Sequence, residues 1–252
     1  MSATPPLTDH AAAAGWHGKL PTLGDFATRR LPPAFVQRWD GWLSAGLAGL
    51  QQQPGWLEGY LASPSWRFLL MPGVMDGQPW AGVLMPSVDR VGRYYPLTIA
   101  HPLPALPADA AGLDALWSWL LRIDEAAADA LHEDWTLDVL EAELQRIGVP
   151  ALAPAAPVVA DALAPGVQRL SLACHLHGGA CVAAHVLAAG LQQAQGSALW
   201  FAQADLATPQ LLRSDGLAPT GLPGCLFGGP AAVPGAAHGV TDNAAANADA
   251  SR

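Results

Sequence analysis

Trp80-Ala-Gly-Val-Leu-Met-Pro-Ser-Val-Asp-Arg-Val-Gly-Arg-Tyr-Tyr-Pro-Leu-Thr-Ile-Ala100 decides how the rest of the chain is read. Its two ends are apolar runs of strand length, rich in aromatic and β-branched residues, and between them lies the polar segment Ser87–Arg93. The pattern is strand, loop, strand. Ser87 and Asp89 carry short polar side chains that bond loop backbone, and Gly92 supplies a positive φ that its neighbours would resist. Asp89 shares this short span with Arg90 and Arg93. One carboxylate among two guanidiniums predicts a hydrogen-bonded loop of fixed shape.

Working outward, Trp66–Met71 reads as a strand ended by Pro72-Gly73, and the spacer Val74–Pro79 leads into Trp80. With Trp80–Met85 and Tyr94–Ala100 this makes three consecutive strands. Short connections join them antiparallel, so this half is a meander with helices over one face. Arg67, inside the first strand, either faces solvent or pairs with a carboxylate, Asp89 being a candidate.

Nearer the start, Trp16–Leu20 is a short strand and Pro21–Asp25 a turn whose Gly24 permits a left-handed backbone. Lys19 and Asp25 flank that turn. They are either a polar recognition point or structural, with the Asp side chain bracing the turn and the Lys stem lying along apolar surface. Pro33–Leu50 has helical spacing of Phe35, Val36, Trp39, Trp42, Leu43, Leu47 and Leu50, which assigns Trp39 and Trp42 to packing. A short helix over Trp56–Ala62 follows.

Downstream, Ala108–Leu131 repeats Leu113, Leu116, Trp117, Leu120, Leu121 and Ile123, and Trp135–Ile147 repeats Leu137, Leu140, Leu144 and Ile147. This is a helical hairpin. Its acids, Asp124, Glu125, Asp129, Glu133, Asp134, Asp138, Glu141 and Glu143, are expected on a solvated face, with an acidic docking surface as the other reading. Residues 151–166 form a Pro/Ala-rich connector with at most a helical turn. Val167–Ala173 is then a strand, Cys181–Gln193 a helix, Ser197–Gln203 and Pro209–Arg213 strands, and Leu222–Phe227 a last short segment.

The expected fold is α/β of the α+β kind: a mainly antiparallel or mixed central sheet flanked by helices in a single domain over residues 15–228. Its halves, 15–150 and 167–228, share one sheet, because a lone strand at Val167 has no partner of its own. Residues 1–14 are expected to be flexible and 229–252, made of Ala, Gly, Asn and Asp, to be a disordered tail.

The net charge of −9 argues against a general nucleic-acid or anionic-membrane binder. Residues 1–102 hold seven Lys/Arg against six Asp/Glu, and residues 103–252 five against fifteen, so any anion-seeking surface belongs to the first half. The opening residues have neither a basic n-region nor a long apolar core, so no secretory signal is read there. Three cysteines describe no disulfide framework, and no run has the length of a membrane span. A cytoplasmic protein with reduced thiols is expected.

Walker A, Rossmann, nucleophile-elbow and His-Glu-x-x-His patterns do not occur. One cluster could hold metal: Cys174, His175, His177, Cys181 and His185 alternate along an extended segment and then fall one helical turn apart. The spacing matches no zinc pattern, and a turn with buried thiols and surface histidines accounts for it as well. A Cys181–His185 or Cys181–His177 nucleophilic pair lacks an orienting third group. No cofactor or metal is expected.

Gly18-Lys19-Leu20-Pro21, Gly24-Asp25-Phe26, Trp39-Asp40-x-Trp42-Leu43, Pro64-x-Trp66-Arg67-Phe68, Gly82-Val83-x-Met85 running on through Arg93, and Pro96-Leu97-Thr98 occur together in order. In these segments, and more weakly over Ser197–Trp200, the chain resembles the TagF (ImpM) family associated with type VI secretion. The resemblance implies a non-enzymatic cytoplasmic regulator that represses secretion after translation by binding a component of the apparatus, in some systems an FHA-domain protein. Some relatives carry a phosphatase domain, which is not expected in this chain. A structural adaptor of the apparatus is the alternative, and a metal-dependent hydrolase using His175–His185 a further one. Lys19, Gly24, Asp25, Ser87, Asp89, Arg90, Gly92 and Arg93 are the candidate site, either as a polar ledge with Trp16 or Tyr94 as flat contact area, or as a structural knot joining two loops.

Overall fold

The computed structural model describes residues 13–152, 158–164, 167–172, 193–202, 209–218 and 221–228, together with 183, 186–187 and 189–191. The expected flexible start (apart from residues 13 and 14), the disordered tail and the Cys174–His185 cluster (apart from residue 183) lie outside them. The elements in chain order are β1 (Gly15–Gly18), β2 (Ala27–Arg29), α1 (Pro33–Leu50), α2 (Trp56–Leu61), β3 (Trp66–Leu70), β4 (Trp80–Met85), β5 (Leu97–Pro102), α3 (Ala110–His132) and α4 (Leu137–Ile147). After them come β6 (Val158–Ala164), β7 (Val167–Leu172), β8 (Ser197–Ala202), β9 (Gln210–Asp215) and α5 (Leu222–Phe227).

Seven strands form one sheet in the order β2-β1-β5-β4-β3-β8-β9, antiparallel at every pairing. The β3–β4–β5 meander is its centre, in the register Phe68↔Gly82↔Ala100. The fold is α+β in a single domain, and the second half extends the first sheet through β8, which pairs with β3.

Helices cover both faces, not one. Along β3, Trp66, Phe68 and Leu70 join the core under α1 and α5, whereas Leu69 joins the core under α3 and α4. Along β4, Trp80 and Leu84 face the first core and Ala81 and Val83 the second. Burial on both sides is why these strands read as continuous apolar runs without alternation. The first core is aromatic, with Trp39 stacked between Phe35 and Trp200 at centroid distances of 5.5 and 6.2 Å. Each buried indole N–H finds an acceptor there: Trp39 donates to Thr98 Oγ1 (2.9 Å), Trp66 to the Leu226 carbonyl (2.9 Å) and Trp200 to Ser214 Oγ (3.2 Å).

Several expectations are corrected. The connector contains a strand: β6 pairs with β7 in a separate two-stranded sheet, with Asp161 opposite Arg169. Val158-Val159 favours extended backbone, and β7 supplies the partner that composition alone could not show. Leu222–Phe227 is a helix, and β5 starts at Leu97, with Tyr94 in an isolated bridge to Val88. On α3 the buried stripe is Leu116, Trp119, Leu120 and Ile123, while Leu113, Trp117 and Leu121 stay exposed. Arg67 pairs with Asp124 of α3, not with Asp89. Asp124 is therefore buried, and Glu141 turns inward to Trp16 and Arg30, so neither belongs to the solvated face. Ala13 and Ala14, within the segment expected to be flexible, are both buried.

Candidate functional site

The site starts where β1 ends. Gly18 has φ +139°, and a Cβ on it would lie 2.3 Å from the Pro96 carbonyl oxygen, so only glycine lets β1 press against the chain entering β5. That contact sends Lys19 inward. Its side chain is 4 % exposed, with Nζ donating to Asp89 Oδ2 at 2.9 Å and lying 4.8 Å above the Phe26 ring.

Asp89 organises the loop between β4 and β5. Its Oδ1 accepts the backbone N–H groups of Val91 (3.0 Å) and Arg93 (2.9 Å), and its Oδ2 accepts Lys19 Nζ and Arg93 Nε (2.7 Å). Gly92 takes φ +82°, which lets the loop fold back so that the Asp89 N–H donates to the Arg93 carbonyl at 3.1 Å. Burial pushes the Asp89 carboxyl up, but donors from Lys19, Arg93 and Val91 outweigh it and hold it well below the usual carboxylate range.

Ser87 ties the loop to its surroundings. Its Oγ donates to the Lys19 carbonyl (2.8 Å), its N–H donates to Tyr60 Oη (2.9 Å), and the Tyr60 hydroxyl donates to the Ser87 carbonyl (2.9 Å). Burial pushes the Tyr60 phenol far above its ordinary range, so it stays protonated. The first turn is stitched on by the Arg90 N–H to the Leu23 carbonyl (3.2 Å) and by Arg93 Nη2 to the Gly24 carbonyl. Gly24 has no positive φ, contrary to expectation; its carbonyl is what the loop uses. Asp25 is exposed and accepts its neighbour's N–H, from Phe26, at 2.8 Å, so Lys19 and Asp25 form no pair.

The candidates therefore divide. Lys19, Ser87 and Asp89 are buried, whereas Gly24, Asp25, Arg90, Gly92 and Arg93 lie at the surface. Among the described residues the Arg90 guanidinium has no hydrogen-bond partner, and half of the Arg93 side chain is exposed. Val91 (64 % exposed) and Phe26 (45 % exposed) stand beside them. Trp16 and Tyr94 do not supply the flat surface: Trp16 is fully buried, and Tyr94 packs edge-on to Trp56 and Tyr60.

Phe26 rests edge-on upon Tyr95 at 4.7 Å and stacks at 5.9 Å on His17. Behind it the Tyr95 hydroxyl donates to Asp40 Oδ1 (2.6 Å), and His17 Nδ1 meets Thr28 Oγ1 (2.7 Å). Burial lowers the His17 pKa against the pull of Asp40. Sequence reading placed Phe26 in a motif but not in the site; an aromatic side chain directly after Gly24-Asp25, in a polar turn, was the available signal. His17, Tyr60 and Tyr95 left none, because they act through contacts with distant segments. No three His, Cys, Asp or Glu side chains converge as metal ligands would among the described residues.

The family model described as the TagF N-terminal domain, type VI secretion system-associated, matches residues 15–147, more than half of the chain. The protein belongs to the TagF family. Its sheet continues past the matched region, since β8 and β9 lie beyond residue 147. The crystal structure of PA0076 from Pseudomonas aeruginosa PAO1 is similar, with a TM-score of 0.68 and 30% identity over 85% of this chain and 94% of that one. Curated proteins returned no match. Membership in the family makes this a type VI secretion-associated protein, and no described helix is long and apolar enough to cross a membrane.

Proposed function

We propose that this chain represses type VI secretion after translation, as a cytoplasmic protein that binds a component of the apparatus, an FHA-domain protein being the first candidate. The observation that carries this reading is the exposed rim of Phe26, Arg90, Val91 and Arg93, held rigid by the buried Asp89 in a member of a secretion-associated family. Two guanidiniums beside two exposed apolar side chains suit an acidic partner surface with an apolar centre. A fixed loop binds with little ordering cost.

Binding without turnover fits the chemistry of Asp89. Its two oxygens already accept four hydrogen bonds, which leaves no lone pair free to take a proton from a substrate. Ledge and knot are thus two sides of one loop: the knot is inside and the rim is outside.

The test is capture from lysate of the source bacterium with the purified chain and its Arg90→Glu variant as baits, followed by mass spectrometry. The native chain is expected to recover an FHA-domain or other secretion-apparatus protein, and Arg90→Glu to lose it while keeping its thermal midpoint. Recovery by both baits moves the interface off the rim, the open groove of about 440 Å³ along α4 beside Trp135 and Val139 being the next surface. Stable co-purification with membrane-embedded parts indicates an adaptor instead. Recovery of no secretion component by either bait overturns the reading.

A further inference from the structure

The sheet ends differently at its two edges. β2 is three residues long, and Arg30 after it takes φ +58°, so the chain leaves the sheet at once. Short strands and charged flanks are how natural edges avoid pairing with other chains. β9 keeps an unbroken six-residue register with β8 and has no proline, lysine or bulge. Among the described residues no strand pairs with its other side.

The Gly216 N–H donates to the Gly196 carbonyl at 2.8 Å, which sets the alternation along β9. Residues 212 and 214 turn their backbone groups to β8; residues 211, 213 and 215 turn theirs to the open edge. The same three place their side chains on the sheet face that bears α3, with Leu211 opposite Phe201, Arg213 opposite Leu199 and Asp215 opposite Ser197. Leu211 is 61 % exposed, and Phe201 meets Trp117 edge-on at 5.7 Å. The open edge is bordered by an apolar shelf.

We propose that β9 is a self-association edge, pairing antiparallel with β9 of a second copy across a two-fold axis. Charge selects that occupant. Arg213 and Asp215 lie two residues apart on one face, so the register with Ser214 on the axis sets each Arg213 opposite the copy's Asp215, twice. A shift of one residue in that pairing centre sets Arg213 against Arg213 instead. Within the chain neither side chain enters an ion pair among the described residues, and Arg213 bonds Ser197 Oγ at 3.1 and 3.3 Å. Pairing merges two seven-stranded sheets and brings the two shelves onto one side. The rim lies on the β4–β5 connection, with β3 and β8 between β4 and β9, so a dimer carries two open rims.

The test is sedimentation equilibrium of the full chain over a wide concentration range. The mass is expected to rise from that of one chain to that of two. Arg213→Asp should weaken dimerisation by about tenfold or more by setting like charges opposite each other, and Arg213→Asp/Asp215→Arg should restore it by exchanging the pairs. Arg213→Pro removes an outward N–H that faces the copy's Asp215 carbonyl without touching the β8 ladder, so it should abolish the dimer and leave the thermal midpoint within a few degrees. A native chain that stays monomeric overturns the proposal. So does a dimer unaffected by Arg213→Pro, or one that the double exchange fails to restore.

Discussion

Two buried carboxylates, Asp89 in the β4–β5 loop and Asp124 on α3, do the same electrostatic task by different means. Asp89 accepts two donors from backbone within its own loop and two from Lys19 and Arg93, and its side chain is 0 % exposed. Asp124 accepts Ser65 Oγ and Arg67 Nη2, both flanking the start of β3, and its side chain keeps 11 % exposure. The first is a loop folded around its own acid. The second is a clamp between a helix and a strand, and it leaves Arg67 Nε buried without a partner among the described residues while the guanidinium lies 5.5 Å over the Trp117 ring. A carboxylate that organises local backbone leaves a signature in sequence; one that joins distant elements does not.

The largest effect expected is from Asp89→Ala. It strands buried Lys19 and unties both loop N–H groups, and should lower the thermal midpoint by roughly 10 °C. Asp124→Ala removes fewer donors, from a place water already reaches, and should cost roughly 5 °C, since Arg67 can stay on Trp117. If the two losses come out in the reverse order, donor count is not what ranks these sites. Differential scanning fluorimetry on both variants decides it.

Acid separates the carboxylates from the histidines. Because the folded Asp89 carboxyl sits below its unfolded value, its contribution is intact above about pH 4 and is lost only as pH falls further. Burial pushes His101 down to about 4, and His17 downward too, so the unfolded chain binds more protons below its ordinary histidine pKa. Stability should therefore rise with pH between about 4 and 6.5. The midpoint at pH 5 should lie a few degrees below that at pH 7, and His101→Gln should shrink that difference. A flat profile would show that these rings are more hydrated than their packing indicates.

The smallest effects belong to the rim. Arg93→Ala forfeits bonds to Asp89 and Gly24 from a half-exposed side chain and should cost roughly 2–3 °C, whereas Arg90→Glu should change the midpoint by less than about 1 °C. The spread between these neighbours measures how cleanly the loop divides into an inner knot and an outer rim. Equal costs would mean that Arg90 is built into the knot.

The meander, the aromatic helix α1 and the loop signature were legible because each depends on residues close in sequence. Gly92 at positive φ and Asp89 bonded to loop backbone follow from local chemistry. The carboxylate that Arg67 meets, Asp124 and not the candidate Asp89, was not legible because β3 and the middle of α3 become neighbours only when the helix packs on the sheet. The α3 stripe was too broad for the same reason. Leu113, Trp117 and Leu121 keep helical spacing with the core residues, yet the side of α3 that carries them is exposed and only the neighbouring turn positions are buried. β6 hid in a Pro/Ala-rich segment because its partner strand, not its composition, makes it extended.

What the sequence by itself determined is the elements from β1 to α4 other than β2 (Ala27–Arg29), the antiparallel meander and the family, since these rest on periodicity, turn chemistry and six motifs in order. Only the tertiary structure decided which side of the β4–β5 loop faces inward, that Phe26 and not Trp16 lies on the rim, and that β8 closes onto β3. The physical reason is that burial is a property of what two segments exclude together. No pattern within either segment states it.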